Sequence, residues 1–272
     1  MIDPRPLTAG VMGWPIKHSK SPRIFGHWFQ ESGIDGRYSH LAVEPSDFID
    51  VLRALPKAGF RGINVTLPHK LSALEAADRC TPTAREIGAA NTIIFRQDGE
   101  ILADNTDGFG FIQNLRSAVT GWDASQGSSV VLGAGGAARA VLHALKEAGA
   151  PEIRVSNRSR DKADGLAAEF GPVVTVVEWS ERSSALSGSA TLVNTTSLGM
   201  TGQPELEIAL DPLPRSALVT DIVYNPLVTP LLAAASSRGN TTVDGLGMLL
   251  HQARPGFEAW FGIDPIVDDA LR

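Results

Sequence analysis

Cysteine is almost missing. Cys80 is the only one in 272 residues, so neither a disulfide framework nor a cysteine metal site can be assembled, and a reducing cytoplasm is the expected compartment. No run of 18 uninterrupted apolar residues occurs, so no membrane-spanning helix is expected. The opening MIDPRPLTAGVMGWPI has no basic segment followed by an apolar run, and no export signal is expected either. Positive charge is scarce: 24 Lys and Arg against 30 Asp and Glu leave a net charge of −6. That balance offers no basic excess to neutralise a phosphate backbone, so nucleic acid is not an expected partner. His18, His27, His40, His69, His143 and His251 are scattered, with no pair at helical ligand spacing, and no metal is expected. Repeats at solenoid period and low-complexity tracts are also lacking.

What is present is an ordinary globular composition, 43% hydrophobic and 20% charged. A chain of this length buries roughly three quarters of its unfolded surface. It suffices for two modest domains or one large one. From Leu7 to about Thr106, short strand-like runs (AGVMGW, YSHLAV, RGINVTLP, AANTIIF) alternate with helix-like ones (PRIFGHWFQESG, PSDFIDVLRALPKAG, HKLSALEAAD), the mark of an α/β layer. A second unit opens near Asp107 with the helical DGFGFIQNLRSAV. Beyond it, SVVLG, EIRVSN, VVTVVEW, ATLVNTT, ALVTDIVY and TTVDG read as strands of βαβ units feeding a parallel sheet. The closing stretch GLGMLLHQARPGFEAWFGID has a helical apolar stripe, but Pro255 removes a bond to the carbonyl of His251, so a kink or break is expected there.

The sharpest local signal is SVVLGAGGAARAVLHAL, which sets Gly133-x-Gly135-x-x-Ala138 between an apolar strand and an amphipathic helix. Gly133 permits the tight turn, Gly135 lets the backbone approach a pyrophosphate, and Ala138 allows the helix to pack on the strand. The helix start adds N–H groups and partial positive charge. A glycine-rich turn without a ligand is the plain alternative. The next strand ends IRVSNRSRDKA, where an NAD enzyme would carry an acid for the ribose 2′-hydroxyl; here Asn157, Arg158, Ser159 and Arg160 follow instead. Guanidinium forks suit a 2′-phosphate, which favours NADP over NAD, against the alternative of a solvated turn with surface arginines.

Three further stretches carry polar groups within apolar elements: GINVTLPHK, IGAANTI and ADNTDG. Asn64 and Thr66, two apart on a strand, face the same way, and Pro68 ends that strand just before Lys70. Asn91 and Thr92 follow small residues, and Asp107 marks the junction between the units. Singly, each has an ordinary explanation as a turn, strand or surface residue. Together they suit a ligand site at strand carboxyl ends, with a lysine and an aspartate as a proton-transfer pair beside a hydride acceptor. PIKHSKSP adds Ser19 and Ser21, which project to one side of an extended chain, with Pro22 suited to a first helical position and Ser21 expected as the N-cap.

The series GWPIKHSKSP, GINVTLPHK, GAANTI, DNTDG, GAGGAAR, NRSR, NTTSLGM, DIVYNP and DGLGMLLHQA, running nearly end to end, resembles the shikimate dehydrogenase family. That resemblance implies two α/β domains, a substrate domain at 1–106 plus 245–272 and a Rossmann-type NADP domain at 107–244, with the site in the cleft between them. It implies NADPH-dependent reduction of 3-dehydroshikimate in aromatic amino-acid biosynthesis. Ser19 and Ser21 would hold the substrate carboxylate with Tyr224 nearby; Thr66, Lys70, Asn91, Asp107 and Gln252 would surround the ring, with Lys70 and Asp107 as the catalytic pair. Gly133, Ala134, Gly135, Gly136, Ala137 and Ala138 would bind the dinucleotide with Asn157, Arg158, Ser159 and Arg160, together with Thr195 and Gly245. NTTSLGM departs from the family pattern, with Thr195 and Ser197 where Ala and Pro are frequent. His69 is expected to be structural. The expected assembly is a monomer or homodimer. The competing expectations are an NAD-preferring quinate/shikimate paralogue and a non-catalytic nicotinamide-sensing regulator.

Overall fold

The computed structural model describes residues 6–272. In chain order the elements are β1 (Thr8–Gly13), α1 (Ser21–Ser32), β2 (Arg37–Ala42), α2 (Phe48–Ala54), β3 (Phe60–Val65), α3 (Lys70–Ala76), β4 (Arg79–Cys80), α4 (Pro82–Ile87), β5 (Thr92–Phe95) and β6 (Ile101–Asp104). There follow α5 (Asp107–Ala118), β7 (Ser129–Leu132), α6 (Gly136–Glu147), β8 (Ile153–Ser156), α7 (Arg160–Phe170), β9 (Val174–Val177) and β10 (Thr191–Asn194). β11 (Leu218–Asp221), α8 (Pro230–Ser237), β12 (Thr241–Val243), α9 (Leu246–His251) and α10 (Arg254–Phe261) complete the chain. These gather into two compact units, the chain up to Thr106 with Gln252–Arg272, and Asp107–His251. The first five residues of the expected substrate domain lie outside the described residues.

The first unit is built on a six-stranded sheet of order β2-β1-β3-β5-β6-β4. β1 runs parallel to β2 and β3, whereas β5 is antiparallel to both β3 and β6. The hairpin between β5 and β6 turns at Gly99, whose φ of 93° only glycine adopts without strain. β4, α4 and β6 carry no periodicity that the sequence alone reveals, since they span only 2, 6 and 4 residues. Met12, Ile63, Val65, Ile93 and Phe95 from the strands pack with Phe48 and Leu52 of α2. The other face is aromatic: α10 brings Phe257 and Trp260 against Phe25 of α1, with ring centroids 5.6 and 5.8 Å away. Trp260 Nε1 donates to the Ile93 carbonyl at 3.1 Å. This close approach requires Gly62, where a Cβ would overlap the Trp260 indole nitrogen and the Ile93 carbonyl.

In the second unit the six strands are all parallel, in the order β12-β11-β10-β7-β8-β9. Counted from β7, this is the doubly wound Rossmann order. Strand residues alternate between two cores: Val131, Val193 and Leu218 on one face, Val130, Leu132, Leu192 and Val219 on the other.

Three expectations meet the coordinates at element ends. The helix break near Pro255 occurs where expected, because Pro255 lies in the first turn of α10, where a missing N–H is harmless. Beyond the expected domain division at 244/245, the second compact unit runs on to His251, because α9 packs along α5 and Asn114 Nδ2 donates to the Asp244 carbonyl at 2.7 Å. Ser21 is not the N-cap of α1. Lys20 occupies that position and makes no side-chain cap bond; Ser19 Oγ instead accepts from the Ser21 N–H at 3.4 Å.

Gly62→Ala is expected to destabilise the protein by about 1–3 kcal/mol, as overpacking does. A thermal melt reads this directly, and an unchanged Tm would contradict the packing of Trp260 on β3.

Candidate active site

Polar side chains of the first unit collect where β1, β3 and β5 meet the loops around them. At the start of α1, Ser19 Oγ donates to Ser21 Oγ at 3.3 Å, so the two hydroxyls do share one side as the sequence implied. His40 Nε2 lies 3.0 Å from the Ser19 carbonyl and steadies that turn. Ser21 is buried. Burial pushes the Tyr38 phenol well above its ordinary value, with the Ser21 hydroxyl pulling the other way, so Tyr38 is a neutral donor. Its Oη donates to Asn64 Oδ1 at 2.7 Å.

From Asn64 the network continues into the expected ring site. Asn64 Nδ2 donates to the Asn91 carbonyl at 3.3 Å and to Thr92 Oγ1 at 3.2 Å. Asn91 Oδ1 accepts from Thr106 N–H at 2.9 Å and from Thr92 Oγ1 at 3.0 Å, while its Nδ2 donates to Gln252 Oε1 at 3.2 Å. Thr106 Oγ1 donates to the Gln252 carbonyl at 2.8 Å. Gln252 thus stands in the turn that Pro255 creates between α9 and α10. Thr66 follows β3 directly, its N–H bonded to the Met12 carbonyl at 2.9 Å. Lys70 opens α3, half-buried, and its carbonyl accepts from Ala90 N–H at 2.9 Å, which ties the helix start to the residue before Asn91. His69 is buried against Phe48, ring centroids 4.5 Å apart, with Nε2 2.8 Å from the Val43 carbonyl, a structural position.

The second unit holds the remaining candidates. Gly133 has φ 110°, and a Cβ there would lie 2.6 Å from Thr195 Oγ1. The Thr195 hydroxyl donates to the Leu132 carbonyl at 2.7 Å, closing the turn from below. At Gly135 and Gly136 nothing lies within 4 Å of an added Cβ, so the start of α6 faces open space, with Ala134 and Ala137 half-buried and Ala138 packed beneath. At the end of β8, Asn157 Nδ2 donates to the Ser159 carbonyl at 2.8 Å and Arg158 is exposed. Arg160 pairs with Glu178 and Asp164. Asp107 is the buried first residue of α5, which packs on α6 closely enough that a Cβ at Gly108 would sit 3.0 Å from the Ala140 carbonyl. Gly245 precedes α9, where a Cβ would overlap the Ile222 carbonyl.

Tyr224 is partly exposed, and burial of its ring raises its pKa. Its loop is held by Asp221, which the sequence reading did not single out. Asp221 accepts from Asn194 Nδ2 at 3.0 Å, Val223 N–H at 3.0 Å and Thr229 Oγ1 at 2.8 Å. It therefore fastens the loop after β11 to the end of β10. Tyr38 was missed as well; its one signal was being one of only two tyrosines, in a strand where it and Leu41 alone are half-buried.

Family models for the shikimate dehydrogenase substrate binding domain match residues 11–93, for shikimate / quinate 5-dehydrogenase residues 116–246, and for the shikimate 5′-dehydrogenase C-terminal domain residues 245–269. The shikimate dehydrogenase (NADP(+)) of Dinoroseobacter shibae is 60% identical over 97% of this chain and 95% of its own. That of Paramagnetospirillum magneticum is 57% identical over 97% and 96%. Among solved structures, the Thermus thermophilus shikimate 5-dehydrogenase in complex with NADP(H) and shikimate superposes with TM-score 0.85 at 34% identity, covering 96% of this chain and 95% of that one.

The Asp221 carboxyl is raised above its ordinary 3.8, first by burial, with its hydrogen bonds opposing. An acid raised on folding stabilises the fold fully below its unfolded value, and that contribution is lost as pH rises through the folded value. The stability of the protein relative to Asp221→Asn is therefore expected to fall as pH rises from below the ordinary carboxyl value of 3.8 through the raised folded value. A stability difference that stays flat across that range in parallel melts would contradict the assignment.

Proposed function

The chain belongs to the shikimate dehydrogenase family, and on that footing we propose that it interconverts 3-dehydroshikimate and shikimate with NADP through the residues named above. The observations that carry this reading are the paired hydroxyls of Ser19 and Ser21 and the series of hydrogen bonds from Tyr38 through Asn64, Thr92 and Asn91 to Gln252, an array suited to a small, hydroxylated acid. The two serine hydroxyls would hold the carboxylate, with Tyr224 nearby. Thr66, Lys70, Asn91, Asp107 and Gln252 would contact the ring hydroxyls.

The second unit fits the dinucleotide. The open faces of Gly135 and Gly136 leave room for a pyrophosphate at the N–H groups of α6, and the strained turn at Gly133 supports that loop from below. At the β8 end, Asn157 and Arg158 stand where a ribose-binding acid would disfavour a 2′-phosphate, which favours NADP. When bound, the cofactor supplies or accepts a hydride at the ring carbon that changes between ketone and alcohol. Lys70 Nζ, as ammonium, gives its proton to the oxygen that becomes negative as that carbon is reduced, and takes it back in the reverse direction. Asp107 would be the second member of the catalytic pair. An NAD-linked quinate enzyme is the second reading, favoured by the Corynebacterium glutamicum quinate dehydrogenase in complex with NAD, TM-score 0.89 at 27% identity over 96% of this chain and 95% of that one. Location in a reducing cytoplasm belongs to the same proposal and is supported by the lone free thiol of Cys80.

Lys70→Ala is expected to lower kcat by about a hundredfold or more with a smaller change in the KM for shikimate. An effect confined to KM would contradict the proton-transfer role. Arg158→Ala is expected to raise the KM for NADP roughly tenfold while leaving the KM for NAD in place. Equal changes for both cofactors would contradict a 2′-phosphate contact.

A further inference from the structure

The last residues of β10 and β11 are both polar, Asn194 and Asp221, and they stand opposite each other in the sheet with no exposure to water. Two backbone groups fix the Asn194 amide. Thr196 N–H can only donate, so the side-chain atom 3.0 Å from it is Oδ1; the Leu198 carbonyl can only accept, so the atom 3.1 Å from it is Nδ2. The Thr196 hydroxyl donates to the same Oδ1 at 2.7 Å and accepts from Leu198 N–H at 3.1 Å, which closes the turn from Thr196 to Leu198 around one amide. Nδ2 also donates to Asp221 Oδ1 at 3.0 Å, where Val223 N–H donates as well, at 3.0 Å. Asp221 Oδ2 accepts from the hydroxyl of Thr229, the N-cap of α8, at 2.8 Å. One carboxyl oxygen therefore joins the turn after β10 to the first residues after β11, and the other holds the far end of the second loop.

We propose that Asp221 is a positioning residue for the nicotinamide half of the dinucleotide: by accepting from Asn194 and Val223 at a single oxygen, it sets the turns after β10 and β11 against which that half would lie. This rests on the reading of the second unit as the NADP domain. In a doubly wound sheet a dinucleotide straddles the point where the strand order reverses, and here that point falls between β7 and β10. The pyrophosphate belongs at the start of α6, directly after β7, and the adenosine ribose at the end of β8, so the nicotinamide falls to the other side, over the carboxyl ends of β10 and β11. Thr195, which leads into the turn closed around Asn194, reaches across the reversal to the Leu132 carbonyl at the end of β7, 2.7 Å from its hydroxyl. Asn194 and Asp221 are both sealed from water, so their effect passes through the two turns and not through contact with the ligand. An acceptor at Asp221 Oδ1 is what those turns require. Asp221→Asn keeps an oxygen for Asn194 and Val223 and turns its NH2 group to Thr229 Oγ1, which can accept; Asp221→Ala leaves both donors buried and unmatched.

The test measures binding of NADP and of adenosine 2′,5′-bisphosphate to the full chain by calorimetry, with steady-state kinetics alongside; the second probe carries the phosphorylated adenosine end and no nicotinamide. Asp221→Ala is expected to weaken NADP binding about five- to tenfold and to lower kcat about tenfold, with the bisphosphate within about twofold. Asp221→Asn is expected to stay within about twofold of the parent chain in all three measurements, because the acceptor is retained. Unaltered NADP affinity in Asp221→Ala overturns the inference. Equal losses for NADP and the bisphosphate would mark Asp221 as merely structural and also overturn it, as would an Asp221→Asn variant as impaired as Asp221→Ala. If the parent chain binds neither probe, the cofactor reading falls and takes the inference with it. Should Asp221→Ala fail to fold, Thr196→Val poses the same question from the half-buried turn, since it removes the hydroxyl that braces Asn194 against Leu198; a loss of affinity for NADP and not for the bisphosphate is expected, and intact NADP affinity overturns the inference.

Discussion

Burying polar side chains at the carboxyl ends of strands is tolerable only when every donor finds an acceptor, and this requirement shapes the first unit. Asn64, Asn91, Thr92 and Thr106 are all nearly inaccessible to water. Each is satisfied by the next, and the series is anchored by a backbone N–H that can only give and a backbone carbonyl that can only receive. A network so anchored has one arrangement of its amides. It presents fixed groups where a ligand must find them, instead of side chains that must first be ordered. The aromatic packing of α10 on α1 and β3 serves the same end: Trp260 caps the Ile93 carbonyl beside the network, and the turn before α10 delivers Gln252 to Asn91.

The second unit solves a parallel problem with a carboxylate. Asp221, wholly buried, gathers an amide from the end of β10 and a hydroxyl and a backbone N–H from the loop after β11. Desolvation works against its charge, and the three donors offset part of that cost. The glycine turn after β7 rests on Thr195, whose hydroxyl is spent on the Leu132 carbonyl. Arg160, read from the sequence with the cofactor arginines, is engaged with Glu178 and Asp164 on the surface. Arg158, beside it, carries more of the proposed phosphate contact.

Much of this was legible in the sequence because strong local rules agree with the fold. Gly133 and Ala138 mark a strand-to-helix turn, the alternation from Ser129 onward marks a doubly wound sheet, and Pro255 marks a helix break. What escaped has physical reasons. β4 and β6 are too short to show a period, and the antiparallel β5 looks in sequence like any other strand. Ser21 looked like a cap because Ser-Pro often is one, yet the chain reaches α1 already helical at Lys20. Tyr38 and Asp221 act through partners 26 and 27 residues away, Asn64 and Asn194, and no local pattern announces such pairs. The end of the second unit at His251 is likewise set by the packing of α9 on α5.

Taken together, one unit offers a rigid, one-directional set of hydrogen-bonding groups for a hydroxylated acid, and the other a glycine turn and a cationic strand end for a phosphorylated dinucleotide. Family membership and these two local designs converge on one reaction. The most direct measurement is nicotinamide absorbance on mixing the full protein with shikimate or quinate and with NADP or NAD. The account predicts rapid reduction with shikimate and NADP and much slower change with the other three combinations. Measurable NADP binding with no turnover of shikimate would contradict it.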